Sequence, residues 1–138
     1  MTRTEALHQE LEEMGVKTID CPGLSRKALA FADGYLALGK LESEKEALAV
    51  LTHEKWHYKL GAFYRADAPY AQKQQVEARV DRRALDELVP KARLTQLLRQ
   101  GLRVYEIAEV LEVPETVVWE AWRYYKDTDA RLWAEENE

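Results

Sequence analysis

His53-Glu54-Lys55-Trp56-His57 decides how this chain is read. Two imidazoles four residues apart lie on one face of a helix, so both rings can close on a single metal ion. Glu54 sits on the adjoining side of the same turn, where it can deprotonate a metal-activated water without being a ligand itself. The pattern points to metal-assisted hydrolysis, and it requires this stretch to be helical. Ser43-Glu44-Lys45-Glu46 supplies the start. It matches a capping box, with Ser43 as N-cap and Glu46 reaching back, and it predicts a helix running through His57 to about Leu60. Ala49, Val50, His53, His57 and Leu60 share a face that is expected to look inward.

The other half of such a site is sought downstream. After Gly61, a loop carrying Asp67 and Pro69 leads to a second helical segment, Tyr70 to Val89. Glu77, Asp81, Ala84, Leu85 and Leu88 form one stripe on it that mixes two acids with core residues. A carboxylate on an apolar stripe needs a partner, because an unpaired buried charge is costly. Zinc and its histidines would be such partners, with Glu77 as third ligand and Asp81, one turn on, as the acceptor that orients a ligand imidazole. Asp67 and Asp81 remain alternative third ligands. Arg79, Arg82 and Arg83 are alternative partners for Glu77 on a solvated face. Tyr58, Tyr64 and Tyr70 flank the motif, and any of them could donate to a developing oxyanion.

Working outward to the N-terminus, Thr4 to Met14 reads as a short helix ended by Gly15, followed by a loop at Cys21-Pro22-Gly23. Ala28 to Phe31 and Tyr35 to Leu38 flank Asp33-Gly34, a dipeptide favoured in hairpin turns whose two central residues take positive φ. These predict a small antiparallel sheet.

Toward the C-terminus, Pro90 begins a helix that Gly101 ends. A second helix holds Tyr105, Ile107, Ala108 and Leu111, and Pro114 opens a third. The run resembles a helix-turn-helix. Its last helix, Glu115 to Lys126, balances acids against bases and is dominated by aromatics, so it lacks the cationic excess of a phosphate-binding surface. Trp119, Trp122 and Tyr125 are expected to form one packing face, against the body of the protein. An acidic tail follows, with Trp133 as a candidate anchor.

Composition bounds these readings. With 138 residues, 46% hydrophobic and 33% charged, the chain suits one compact soluble domain with appendages. A net charge of −5 gives no general support for nucleic-acid binding. Cys21 is the only cysteine, so an intrachain disulfide is excluded, which suits a reducing compartment. No stretch approaches a membrane span or an export leader, so a cytoplasmic protein is expected.

Taken together, these residues carry a family resemblance over roughly residues 27 to 125. A hairpin leads into the H-E-x-x-H helix. Then come Glu77-Ala78, Asp81, Ala84, Leu88 and Pro90, and finally Ile107-Ala108-Glu109-Val110-Leu111 with Val113. The chain resembles a small member of the ImmA/IrrE family of metallo-endopeptidases, encoded on prophages and mobile elements beside a repressor gene. The resemblance implies zinc held by His53, His57 and Glu77, Glu54 as general base, and cleavage of a helix-turn-helix repressor. Trp56 stands where many members have glycine. Its indole either covers part of the cleft or packs against a neighbouring helix.

The expected architecture is α+β and mostly helical. A small antiparallel hairpin packs on a zincin-like helix pair over residues 1–90, a helix-turn-helix-like extension over 91–126 packs on that core, and an acidic tail covers 127–138. The expected function is that of a zinc endopeptidase with a protein substrate and neither nucleic acid nor membrane as partner. The alternative is a zinc-site module that binds a repressor without cleaving it. The oligomeric state is left open.

Overall fold

Ala28–Ala30 (β2) and Tyr35–Leu38 (β3) pair antiparallel, as the hairpin reading expects. In the turn between them, however, only Gly34 takes a positive φ, of 100°. Its N–H donates to the carbonyl of Phe31 at 3.1 Å, so the connection is a four-residue loop closed by one left-handed glycine. Asp33 instead lends a carboxylate oxygen to the N–H of Tyr35. The structure, a computed structural model, describes residues 1–128, so Trp133 and most of the expected tail lie outside the described residues.

The sheet is mixed rather than purely antiparallel. Lys17–Asp20 (β1) runs parallel to β3, giving the order β1-β3-β2. All four β1 residues are exposed, so no alternation of apolar and polar side chains marks this strand in the sequence. β3 takes the central place because Leu36, Ala37 and Leu38 are buried. β2 is left as an edge.

Helix α1 (Arg3–Glu13) starts at Thr2, whose hydroxyl accepts from the N–H of Glu5 while Glu5 returns the bond to Thr2. Helix α2 (Glu44–Leu60) starts at Ser43, whose Oγ accepts from the N–H of Glu46. Glu46 does not close the box as expected. Its carboxylate accepts from Glu42 and pairs with Lys27 at 3.2 Å, a cation the sequence does not place beside it. Gly61 ends α2 in the left-handed region.

The face that α2 buries also differs from expectation. Ala47, Leu48, Leu51, Thr52, Glu54, Lys55 and His57 are buried, whereas Ala49, Val50, His53 and Leu60 are half-buried. The helix packs against both α1 and the strand β2, so its covered arc is wider than one stripe and centred elsewhere. Lys55 is buried there against Glu10 of α1, 3.5 Å away.

Helix α3 (Tyr70–Leu88) buries Val80, Ala84, Leu85 and Leu88, leaving Glu77 and Asp81 at the margin of that stripe. The chain divides into two compact units, Met1–Ala84 and a second beginning at Leu85. In the second, α4 (Lys91–Arg99), α5 (Val104–Leu111) and α6 (Glu115–Thr128) enclose a core of Leu94, Leu97, Ile107, Val113, Val118 and Ala121. The buried face of α6 is Val118, Ala121 and Tyr125 rather than Trp119, Trp122 and Tyr125. Trp119 is 46% exposed and meets Trp122 edge-on. α6 packs against both α5 and α4, and the apolar residues it carries outnumber those that one face can bury.

The protein is thus α+β and mostly helical, with one small sheet. Among the described residues no helix is long and apolar enough to cross a membrane.

Candidate metal centre

His53 and His57 come from adjacent turns of α2, and Glu77 comes from the second turn of α3. Glu77 Oε2 lies 2.9 Å from His53 Nε2, and its Oε1 lies 3.2 Å from His57 Nε2. The three residues offer ligand atoms that all fall within 4.8 Å of one another. A tetrahedral ion with bonds of about 2.0–2.1 Å sets its donors about 3.3–3.4 Å apart, so the three side chains would have to adjust to seat one.

The opposite nitrogens fix the ring tautomers. His53 Nδ1 faces Asp81 Oδ1 at 2.9 Å, and His57 Nδ1 faces the carbonyl of Ala62 at 2.7 Å. A carbonyl can only accept, so His57 Nδ1 carries the hydrogen, and the same holds for His53 against an ionised carboxylate. A neutral ring then turns its bare Nε2 toward Glu77. Lone pairs facing a carboxylate repel it, so the arrangement calls for positive charge between them, either protons on both Nε2 atoms or a divalent cation. Two imidazoles and one carboxylate form a donor set that could hold a divalent metal ion.

The electrostatics agree with that geometry. Burial opposes the His53 imidazolium, but hydrogen bonds to Asp81 and Glu77 override it and raise the pKa to about 10. Burial likewise opposes the His57 cation, and Glu77 together with the Ala62 carbonyl raises its pKa nonetheless. Hydrogen bonds from His53 and His57 hold the Glu77 carboxyl well below the usual carboxylate range. Tyr64 adds a third bond, its hydroxyl donating to Glu77 Oε1 at 2.9 Å.

Glu54 is 8% exposed and makes the fourth member of the group. Burial pushes its pKa up, while the nearby positive charges of His53 and His57 draw it down. Together with His57 and Glu77 it faces a cleft of about 330 Å³. The edge strand β2 borders the same cleft through Ala28, Leu29 and Ala30.

The sequence-derived positions therefore divide clearly. His53, Glu54, His57, Glu77 and Asp81 are gathered at one place. Asp67 is not among them: it is 75% exposed and paired with Arg65 at 3.1 Å. Of the three tyrosines, Tyr64 reaches the group, Tyr58 donates to the carbonyl of Tyr35, and Tyr70 is 76% exposed. Trp56 does not line the cleft. Its ring lies among Lys59, Lys55 and Arg83, the nearest being Lys59 at 5.2 Å. Sequence reasoning missed the Ala62 carbonyl, for which no side-chain signal exists. It also missed Arg26 and Lys73 in the cleft wall, whose signal was only their charge.

No family model matches the chain, and no curated protein matches it either.

Proposed function

We propose that this chain is a zinc-dependent endopeptidase of the ImmA/IrrE kind, with a zincin-like pairing of α2 and α3 and a helix-turn-helix-like arrangement of α4 to α6. Its substrate in this reading is a helix-turn-helix repressor of a prophage or mobile element, met in the cytoplasm. The observation that carries the proposal is the convergence of His53 Nε2 and His57 Nε2 on one Glu77 carboxylate, beside a buried Glu54 that opens on the same cleft.

His53, His57 and Glu77 would hold the ion. Bound there, zinc would polarise a scissile carbonyl and acidify water toward neutrality. The residues of the chain do the rest. Asp81 and the Ala62 carbonyl keep each ring in the tautomer that presents Nε2. Glu54, whose proton affinity is raised by burial, accepts the proton of the attacking water and returns it to the leaving amine. β2, an edge strand, offers unpaired backbone groups to an extended peptide, which supports a polypeptide as substrate.

The test begins with metal content, measured by mass spectrometry on the untagged protein beside Glu77→Ala. One zinc per chain is expected, weakened or lost in the variant. The zinc-loaded protein is then incubated with purified helix-turn-helix repressor proteins as candidate substrates. Two fragments are expected with the parent chain and none with Glu54→Gln, which keeps its metal. An intact partner in a stable complex would reject proteolysis in favour of a binding module.

A further inference from the structure

Two cations border the cleft and have no part in holding the metal. Arg26 lies two residues before the edge strand β2, and Lys73 lies on α3 one turn before Glu77. Both line the cleft that Glu54, His57 and Glu77 face.

Neither is placed by chance rotation alone. The backbone of Arg26 is packed against Gly39 so closely that a Cβ at position 39 would stand 2.2 Å from the Arg26 carbonyl oxygen. Gly39 also donates its N–H to Lys27 at 2.8 Å, which pins the start of β2. Lys73 is tethered by a 2.6 Å bond from Nζ to the carbonyl of Ala66, which uses one of its three donors. The Arg26 guanidinium acts on the Tyr64 hydroxyl and on Glu54, so its charge is felt at the site itself. These two cations offset Glu54 and Glu77, and a divalent ion would leave the cleft wall net positive.

We propose that Arg26, aided by Lys73, recognises a carboxylate of the bound peptide lying beside β2: either an aspartate or glutamate side chain or the C-terminal carboxylate. The proposal rests on the peptidase reading and adds the charge of the substrate to it. A peptide extended along β2 passes Arg26 at the strand's entrance, where a guanidinium can bind a carboxylate through two parallel N–H donors. Lys73, a point charge, contributes attraction without fixing geometry. Arg26 is exposed, so the gain is that of a solvated charge pair.

The test is binding, read without hydrolysis. Three fluorescein-labelled hexa-alanine peptides are compared by anisotropy at low ionic strength, with the protein zinc-loaded and again after chelation. One carries an internal Glu and a C-terminal amide, one Gln in its place, and one no internal acid but a free C-terminal carboxylate. The parent chain should bind an acidic peptide about fivefold more tightly than the Gln peptide, with the difference fading in salt. The peptide showing that preference identifies the source of the carboxylate. Arg26→Gln should abolish the preference while leaving the melting temperature unchanged, and Arg26→Lys should recover part of it. Equal binding of all three peptides, absent binding, or a preference that survives Arg26→Gln would overturn the proposal. Failure of the peptidase reading shows separately, as a partner left uncut by a protein that still discriminates charge.

Discussion

His57 donates from Nδ1 to the carbonyl of Ala62 at 2.7 Å, while the N–H of Ala62 donates back to the carbonyl of His57 at 2.9 Å. The C-terminal cap of α2 and the orientation of a candidate metal ligand are therefore one structure. Gly61, at φ 59°, makes the turn between them. Gly61→Ala meets no atom within 4 Å but forces a side chain into the left-handed region, at about 1 kcal/mol. Its expected outcome is a small drop in melting temperature together with weaker zinc binding. Unchanged zinc affinity in the destabilised variant would separate the cap from the site.

Protons and metal compete for the same nitrogens, which gives a pH dependence with a definite sign. The imidazolium of His53, with its pKa raised from 6.5 to about 10, stabilises the metal-free fold fully below 6.5, and this contribution is lost as pH rises through 10. Glu77, lowered from 4.5, contributes above 4.5 and loses that contribution as pH falls through its folded-state value. The chelated protein should therefore be most stable between about 4.5 and 6.5 and lose stability above that window, as seen by thermal melts. Zinc affinity should rise with pH over the alkaline side, and calorimetry in buffers of different ionisation heat should show proton release on binding. Binding without proton release at pH 7 would mean that the rings are already neutral.

Thr52 is fully buried on α2, and among the described residues its hydroxyl finds no hydrogen-bond partner. Thr52→Val keeps the shape and removes the unsatisfied group, so it should raise stability by about 1 kcal/mol. A loss of stability in chemical denaturation would show that the hydroxyl has a partner after all.

Much of this molecule could be read from residues alone, and the limits have physical causes. The motif helix and its cap were legible because Ser43, Gly61 and the 3.6-residue period act locally. Glu77 and Asp81 were legible because acids on an apolar stripe demand a partner. The strand β1 was not, since every residue from Lys17 to Asp20 is exposed and no buried face marks it. The covered arc of α2 was misjudged because a helix touched on several sides buries residues according to its neighbours. Lys55 shows this best: it is buried against Glu10, 45 residues away in sequence. Arg26 and Lys73 were invisible as a pair because only the tertiary fold brings them to one cleft.

Tyr125 tests the second unit by itself. Its hydroxyl donates to the Val89 carbonyl at 2.7 Å and meets Asp86 Oδ1 at 3.0 Å, with the residue 3% exposed. Tyr125→Phe should cost about 1–3 kcal/mol, because it strands a buried carbonyl, and should leave zinc content unchanged. Burial, with Asp86 beside it, pushes the phenol pKa well above its ordinary value of 10.0. The neutral phenol thus stabilises the fold fully below pH 10, and this is lost as pH climbs further. The cost of Tyr125→Phe should consequently shrink as pH rises above 10, as read by chemical denaturation at neutral and at alkaline pH. An equal cost at both would remove Tyr125 titration as a cause of alkaline destabilisation.

Gly39→Ala links the fold to the cleft. A methyl group there would stand 2.2 Å from the Arg26 carbonyl oxygen and 3.3 Å from that of Lys27, both of them backbone atoms that cannot rotate away. The start of β2 must move, and overpacking of this kind costs about 1–3 kcal/mol. His53, His57 and Glu77 lie on α2 and α3, so zinc content should survive in the folded fraction. The preference for an acidic peptide should not survive, because Arg26 would be displaced while keeping its charge. That combination, metal retained and charge discrimination lost in a variant that removes no cation, distinguishes a positioned guanidinium from a merely positive surface. Full discrimination in folded Gly39→Ala would mean that net charge alone accounts for the preference.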